Sequence, residues 1–261
     1  MLKTWESHRP MDRRLKSWLR KLMPRTIRSH RILGGPLRGL HIVTSWHDYP
    51  SAILGRTERP LLGWFQENVA PGETWLDIGA HYGYTAIALG RLVGPAGRVF
   101  AFEPTLSTAG YLSQTRLLNN LQNLTVLPVA LGTGEGLVLN HLPVVRGMVS
   151  STLQGRERTE TILVASLDWL WPQVCGRREQ IDGVKIDVEG MEIMVLRGMA
   201  KLLRAFKPKL VIEVHPGVAR GELLDLVESV GYSRRGVPIA PVEGEAEPRY
   251  VDDRSYAFQA T

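Results

Sequence analysis

Cysteine is almost missing from this chain of 261 residues. One thiol, Cys175, cannot form an internal disulfide, so a stapled miniprotein is excluded. No run of about 18 apolar residues occurs, which argues against a membrane-spanning helix. No apolar segment of the secretory type stands near the N-terminus. These absences lead to the expectation of a cytoplasmic protein. Low complexity and internal repeats are also lacking. What is present is ordinary for a globular domain, with 44% hydrophobic and 22% charged residues.

The net charge of +6 is unevenly placed. Residues 1–38 hold 11 Lys+Arg and two acids, while the rest holds 21 Lys+Arg and 24 acids. The arm is therefore basic and the body slightly acidic. Met11, Leu15, Trp18, Leu19 and Leu22 recur at helical spacing, and Pro24 follows. The expected division is a basic arm with an amphipathic helix over 1–40 and one domain over 41–261. The apolar stripe of that helix suits three partners: the domain itself, a second copy in a homodimer, or the surface of an anionic membrane. No recognised nucleic-acid motif appears, so no nucleic acid is expected as a partner.

Beyond the arm, strand-like and helix-like segments alternate. Trp75–Ile78, Arg98–Glu103, Leu124–Val129, Gly183–Asp187 and Lys209–His215 read as strands. Tyr84–Val93, Ala109–Leu121, Met191–Leu203 and Glu222–Val230 read as helices. This alternation predicts an α/β fold, a mostly parallel sheet with helices on both faces. Short extra strands at Leu137–Asn140 and Thr161–Ala165 break the rhythm, with a polar loop between them, and Ser255–Gln259 suits a closing strand. The segment Val149–Thr152 suits a lid.

Ligands of doubly wound sheets bind beyond the carboxyl ends of the strands. There the chain reads Asp77-Ile78-Gly79-Ala80-His81-Tyr82-Gly83, and then Phe102-Glu103-Pro104. A carboxylate at the second strand end can accept both ribose hydroxyls of a nucleoside. The glycine pattern is D-x-G-x-x-x-G, not the G-x-G-x-x-G that faces a pyrophosphate. Asp77 would repel a diphosphate but suits a cation. S-adenosylmethionine carries a sulfonium, an ammonium and a ribose diol without phosphate, and so matches the pair Asp77 and Glu103.

These residues carry a resemblance. The chain resembles the FkbM-type S-adenosylmethionine-dependent methyltransferases from about Arg31 to its end. Matching blocks include Ile53-Leu54-Gly55-Arg56-Thr57-Glu58, the strand and turn from Pro71 to His81, Gly97 to Pro104, Val129 to Gly132 and Ser166-Leu167-Asp168. The most diagnostic block is Val184-Lys185-Ile186-Asp187-Val188-Glu189-Gly190-Met191-Glu192, followed by Val195-Leu196-Arg197-Gly198 and Val211 to His215. The resemblance implies a class I methyltransferase, Rossmann-like seven-stranded sheet with an antiparallel last strand. It also implies methyl transfer to oxygen, on a hydroxyl of a sugar, a polyketide or another natural product. The expected partner is thus a small-molecule or glycan acceptor.

The expected roles follow. Glu103 binds the ribose, next to Pro104. Asp77, Gly79, Ala80 and Gly83 shape the cofactor loop, and His81 and Tyr82 contact the cofactor through their backbones. Glu58 matches a family acid and is expected at the methionine end. Ala130 and Leu131 are placed to line the adenine. Asp187, Glu213 and His215 stand at later strand ends. Either His215, held by a carboxylate, is a general base, or the three residues bind a divalent metal such as magnesium. Lys185 and Glu192 read as structural, Glu192 because acids suit a helix start. An NAD-type oxidoreductase and a catalytically silent adenosyl-binding module stand as the alternatives.

Overall fold

A computed structural model of the chain describes residues 23–145, 148–149, 158–242, 245 and 247–261. The amphipathic helix expected near the N-terminus and residues 150–152 of the expected lid lie outside the described residues. Among the described residues, no helix is long and apolar enough to cross a membrane.

The described chain begins with an antiparallel pair, β1 (Arg28–Arg31) and β2 (His41–Thr44). Ile32, Leu37 and Ile42 of this hairpin are buried. The hairpin therefore spans the boundary expected at residue 40 and folds with the body. Helices α1 (Pro50–Ile53) and α2 (Arg59–Asn68) follow. Then come β3 (Thr74–Ile78), α3 (Tyr84–Val93), β4 (Arg98–Phe102), α4 (Leu106–Leu118) and β5 (Leu124–Leu127).

The strand expected over 124–129 stops at Leu127. Pro128 has no N–H to continue the ladder, and the chain changes sheets. β6 (Ala130–Leu131) joins β7 (Val138–Val145), β8 (Met148–Val149) and β9 (Arg158–Ala165) in a four-stranded sheet ordered β6-β9-β7-β8. The two short strands expected in this region are thus longer than their apolar cores suggest.

The main sheet resumes after α5 (Leu167–Val174) with β10 (Gly183–Ile186). The single helix expected over 191–203 is two, α6 (Glu192–Gly198) and α7 (Ala200–Phe206). Gly198 sits against the carbonyl of Gly132, where a Cβ would come within 1.7 Å of the oxygen. Asp168 then accepts the backbone N–H groups of Lys201 and Leu202 at 3.1 and 3.0 Å. Ser166 caps α5 by accepting the N–H of Trp169. The Ser166-Leu167-Asp168 block is therefore a folding device. The chain ends with β11 (Lys209–Val214), α8 (Arg220–Ser229), β12 (Val237–Pro238) and β13 (Arg254–Phe258).

The main sheet has seven strands in the order β12-β13-β11-β10-β3-β4-β5. From β11 to β5 all neighbours are parallel, and β13 runs antiparallel to both of its neighbours. Period-two alternation divides the core. Leu76, Ile78, Val184, Ile186, Leu210 and Ile212 pack against α5 to α8. Trp75, Val99, Ala101 and Val211 pack against α2, α3, α4 and the first hairpin. Trp75 is fully buried, its ring 5.6 Å from that of Phe65. Gly183 leaves room for it, since a Cβ there would lie 2.2 Å from the indole. Chain order reverses at β3, which has β4 on one side and β10 on the other. The crevice at that point is where such sheets bind ligands.

Candidate functional site

A cavity of about 520 Å³ opens at this switch point. Its lining includes Glu58, Gly79, Ala80, His81, Glu103, Pro104, Ala130, Leu131, Asp187, Glu213 and His215. Eleven of the fourteen expected site residues thus face one space. Asp77, Tyr82 and Gly83 do not. Their places follow from packing.

Asp77 is fully buried on β3. Thr85 donates to its Oδ2 at 2.7 Å, and Lys185 Nζ lies 3.1 Å from its Oδ1. Oδ1 has no well-aligned hydrogen bond, so the lysine contact is an ion pair off the N–H direction. The register that pairs Lys185 with Asp77 on adjacent strands creates this contact. Lys185 also lies 3.1 Å from Asp187 Oδ2 and donates to the carbonyl of Gly79 at 3.3 Å. Burial works against its charge, but Asp187, Asp77 and Glu58 outweigh that and hold it protonated. Lys185 is therefore the buried cation that ties the β3 turn to the end of β10. Asp77 braces this lysine beneath the cavity and does not reach into it.

The turn after β3 is tightly constrained. Gly79 has φ +82°, and a Cβ there would lie 1.7 Å from the carbonyl oxygen of Asp187. Gly83 has φ +90°, and its missing Cβ is replaced by Leu112. Both glycines serve close approach of backbone segments. Tyr82 is buried behind the turn and donates to Asp48 at 3.4 Å.

Glu103 follows β4 and is buried. It accepts the N–H of His81 at 2.9 Å and that of Thr105 at 3.0 Å. Burial pushes its carboxyl up to about 7, although these bonds favour the charged form. The side chain is thus held rigidly, and each oxygen keeps lone-pair capacity for a further donor.

At the other end of the cavity stand Asp187, Glu213 and His215. One ligand atom from each lies within 4.8 Å of the others. His215 Nε2 is 3.4 Å from Asp187, 3.8 Å from Glu213 and 4.0 Å from Glu189. The carboxylate that holds the imidazole is none of these. It is Glu192, fully buried, with Oε1 2.6 Å from His215 Nδ1. The structure thereby corrects the reading of Glu192 as a helix-dipole residue. Its place two residues after Gly190, in the most diagnostic block, was the available signal. Burial opposes protonation of His215, but Glu192, Asp187 and Glu189 raise it to about 9. Glu213 is pushed up to about 7 by burial and by the charges of Asp187 and Glu58. Asp187 is held low despite burial, by Lys185 and His215.

Sequence reasoning also passed over Tyr49, Tyr84 and Asp253, which line the same space. No spacing rule joins them to the strand ends. Glu58, His81 and Glu189 all have positive φ, at 53°, 48° and 51°. Such conformations cost about 1–3 kcal/mol each and cluster at functional sites.

Residues 77–234 match the Methyltransferase FkbM domain. No curated protein sequence matches the chain. Among solved structures, methyltransferase FkbM from Methylobacillus flagellatus KT is 19% identical, with a TM-score of 0.45. That match covers 80% of this chain and 53% of the other, so the chain spans about half of that protein. Fibrillarin from Aeropyrum pernix, solved with natively bound S-adenosyl-L-methionine, is 14% identical with a TM-score of 0.50. The match covers 90% of this chain and 89% of fibrillarin. A putative rRNA methylase from Clostridium thermocellum is 11% identical with a TM-score of 0.48, over 77% of this chain and 93% of that one.

These neighbours correct one expectation. Proteins named as rRNA methylases and fibrillarin share the fold. The expected partners, a small-molecule or glycan acceptor with nucleic acid excluded, are therefore withdrawn. The membrane and homodimer contacts assigned to the N-terminal helix go with them, since that helix lies outside the described residues. The oxidoreductase alternative is set aside by the domain match, which covers more than half of the chain and all of the switch-point strands. The sheet order, the cavity at its reversal and the domain match agree: this chain belongs to the FkbM family of S-adenosylmethionine-dependent methyltransferases.

Proposed function

We propose that the protein transfers a methyl group to a hydroxyl oxygen, with the donor laid between Glu103 and the Asp187–Glu213–His215 cluster. The observation that carries this reading is that one cavity joins the two. When bound, S-adenosylmethionine supplies an electrophilic methyl on a sulfonium. Glu103 accepts the ribose hydroxyls, while Ala130 and Leu131 bound the adenine. The excess of carboxylates along the wall, from Glu58 to Glu213, favours a cationic ligand over a diphosphate.

An acceptor hydroxyl must lose its proton as the new bond forms. His215 is the candidate base. Its Nδ1 is locked by Glu192, so Nε2 faces the cavity. With no cation nearby, the surrounding acids keep His215 protonated at neutral pH. A positive charge in the cavity offsets them and frees Nε2 to accept a proton. A second reading has its own support in the spacing of the ligand atoms of Asp187, Glu213 and His215. The donor set of two carboxylates and an imidazole fits a divalent cation, and the Glu192 bond is the outer support that metal-bound histidines usually have. Such an ion would lower the pKa of a bound hydroxyl. The place of action is expected to be the cytoplasm, where a lone buried thiol such as Cys175 stays reduced.

Calorimetry with S-adenosylhomocysteine tests the cofactor half. Glu103→Ala should weaken binding by about 1.5–3 kcal/mol, the value of a charged hydrogen bond, and unchanged affinity removes Glu103 from the ribose. Incubation of cell extract with methyl-labelled donor tests the chemistry. Product label found on nitrogen, sulfur or carbon overturns oxygen transfer.

A further inference from the structure

Glu58 stands in a part of the cavity that neither the ribose nor the acceptor chemistry uses. It precedes α2 with a left-handed backbone, φ 53°. Among the described residues, its sole printed hydrogen bond comes from the neighbouring Thr57 at 3.3 Å, and no cationic side chain forms a salt bridge with it. A half-buried carboxylate without a counter-ion is costly unless something fills the role.

Two tyrosines face this carboxylate. Tyr84 opens α3 and is buried, and its hydroxyl has no hydrogen-bond partner. Buried hydroxyls are normally paired, so this one, on the cavity wall, is an acceptor waiting for a donor. Tyr49 precedes α1, with its ring 6.3 Å from that of Tyr84 and 5.4 Å from that of His81. The negative charge of Glu58 pushes the phenols of both tyrosines up, after burial itself, so both lie within its field. The result is a carboxylate, a free hydroxyl acceptor and aromatic faces around one corner of the cavity. Aromatic faces attract cations, and the attraction grows as water is excluded.

We infer that Glu58, Tyr84 and Tyr49 form a subsite for a primary ammonium, the amino group at the amino-acid end of the methyl donor. The inference rests on the cofactor reading above and adds the residues that orient the donor's far end. An ammonium has three N–H donors. Glu58 and the Tyr84 hydroxyl accept two of them, and the ring of Tyr49 covers the charge. Fixing that end limits rotation about the chain that carries the sulfur, and so aims the methyl toward His215.

Calorimetry on the full chain with two ligands separates this subsite from the adenosine site. S-adenosylhomocysteine carries the amino acid, whereas 5′-methylthioadenosine lacks it. Glu58→Gln should weaken S-adenosylhomocysteine at least tenfold, and Tyr84→Phe about three- to tenfold. Both variants should bind 5′-methylthioadenosine within twofold of wild type, which also shows that they are folded. Glu103→Ala should weaken both ligands. Unchanged S-adenosylhomocysteine affinity in the two variants overturns the subsite, as does an equal loss for both ligands. If wild type binds neither ligand, the cofactor reading itself has failed and the subsite falls with it.

Discussion

Cofactor affinity should depend on pH through Glu103. Its carboxyl is raised to about 7 because burial outweighs the N–H bonds from His81 and Thr105. Only the ionised form can accept two ribose hydroxyls at full strength. For a group with a pKa of about 7, roughly one-eleventh is ionised at pH 6 and about ten-elevenths at pH 8. Apparent affinity scales with the competent fraction, so S-adenosylhomocysteine should bind about tenfold more tightly at pH 8, or about 1.4 kcal/mol. Isothermal calorimetry across this range measures it directly. Glu103→Gln cannot ionise and should lose the slope as well as affinity. Glu213 also titrates near 7, so Glu213→Gln serves as the second control and should keep most of the slope. A wild-type affinity flat within twofold between pH 6 and 8 refutes the reasoning. So does a Glu103→Gln variant that retains the pH dependence.

The same groups shape stability. Glu103 and Glu213 bind protons more tightly folded than unfolded, so their contribution is lost as pH rises from about 4.5 to about 7. His215, raised from 6.5 to about 9, contributes fully below 6.5 and loses that contribution by pH 9. Glu192→Gln should lower the His215 pKa in an NMR titration, and an unchanged midpoint would detach Glu192 from this role. Lys185→Met leaves Asp77 and Asp187 without their buried cation and should cost about 3–5 kcal/mol in chemical denaturation; a loss under about 1 kcal/mol contradicts the pairing. Gly79→Ala combines positive φ with a backbone clash and should cost roughly 2–4 kcal/mol, visible as a clear drop in Tm. Added EDTA separates the two forms of catalytic assistance. Turnover that survives it supports His215 as base, and turnover restored only by magnesium supports the metal.

Much of the frame was legible in the linear pattern. Trp75–Ile78 and Gly183–Asp187 could be recognised as strands because buried parallel strands are short apolar runs. Glu103 and Gly79 could be placed at the ligand end because strand ends and the turns after them are local features. The errors fall where distant segments meet. Pro128 ended a strand that hydropathy alone would continue. Gly198 broke a helix because the carbonyl of Gly132, far away in sequence, packs against it. The Ser166–Asp168 block looked like part of the site pattern and proved to be two helix caps.

The sequence by itself determined the α/β alternation, the glycine turn that lacks a phosphate-binding spacing and the row of acids at successive strand ends. These depend on near neighbours and on the two backbone periods. Tertiary structure decided which acid does what. The β3–β10 register put Lys185 beside Asp77 and turned that carboxylate away from the cavity. The approach of α6 to the end of β11 gave His215 to Glu192 and not to Glu213. The folding of the segment before α2 brought Glu58 to the tyrosines. A side chain's partner is set by distances of a few ångströms between segments far apart in the chain, and no spacing along the chain encodes them.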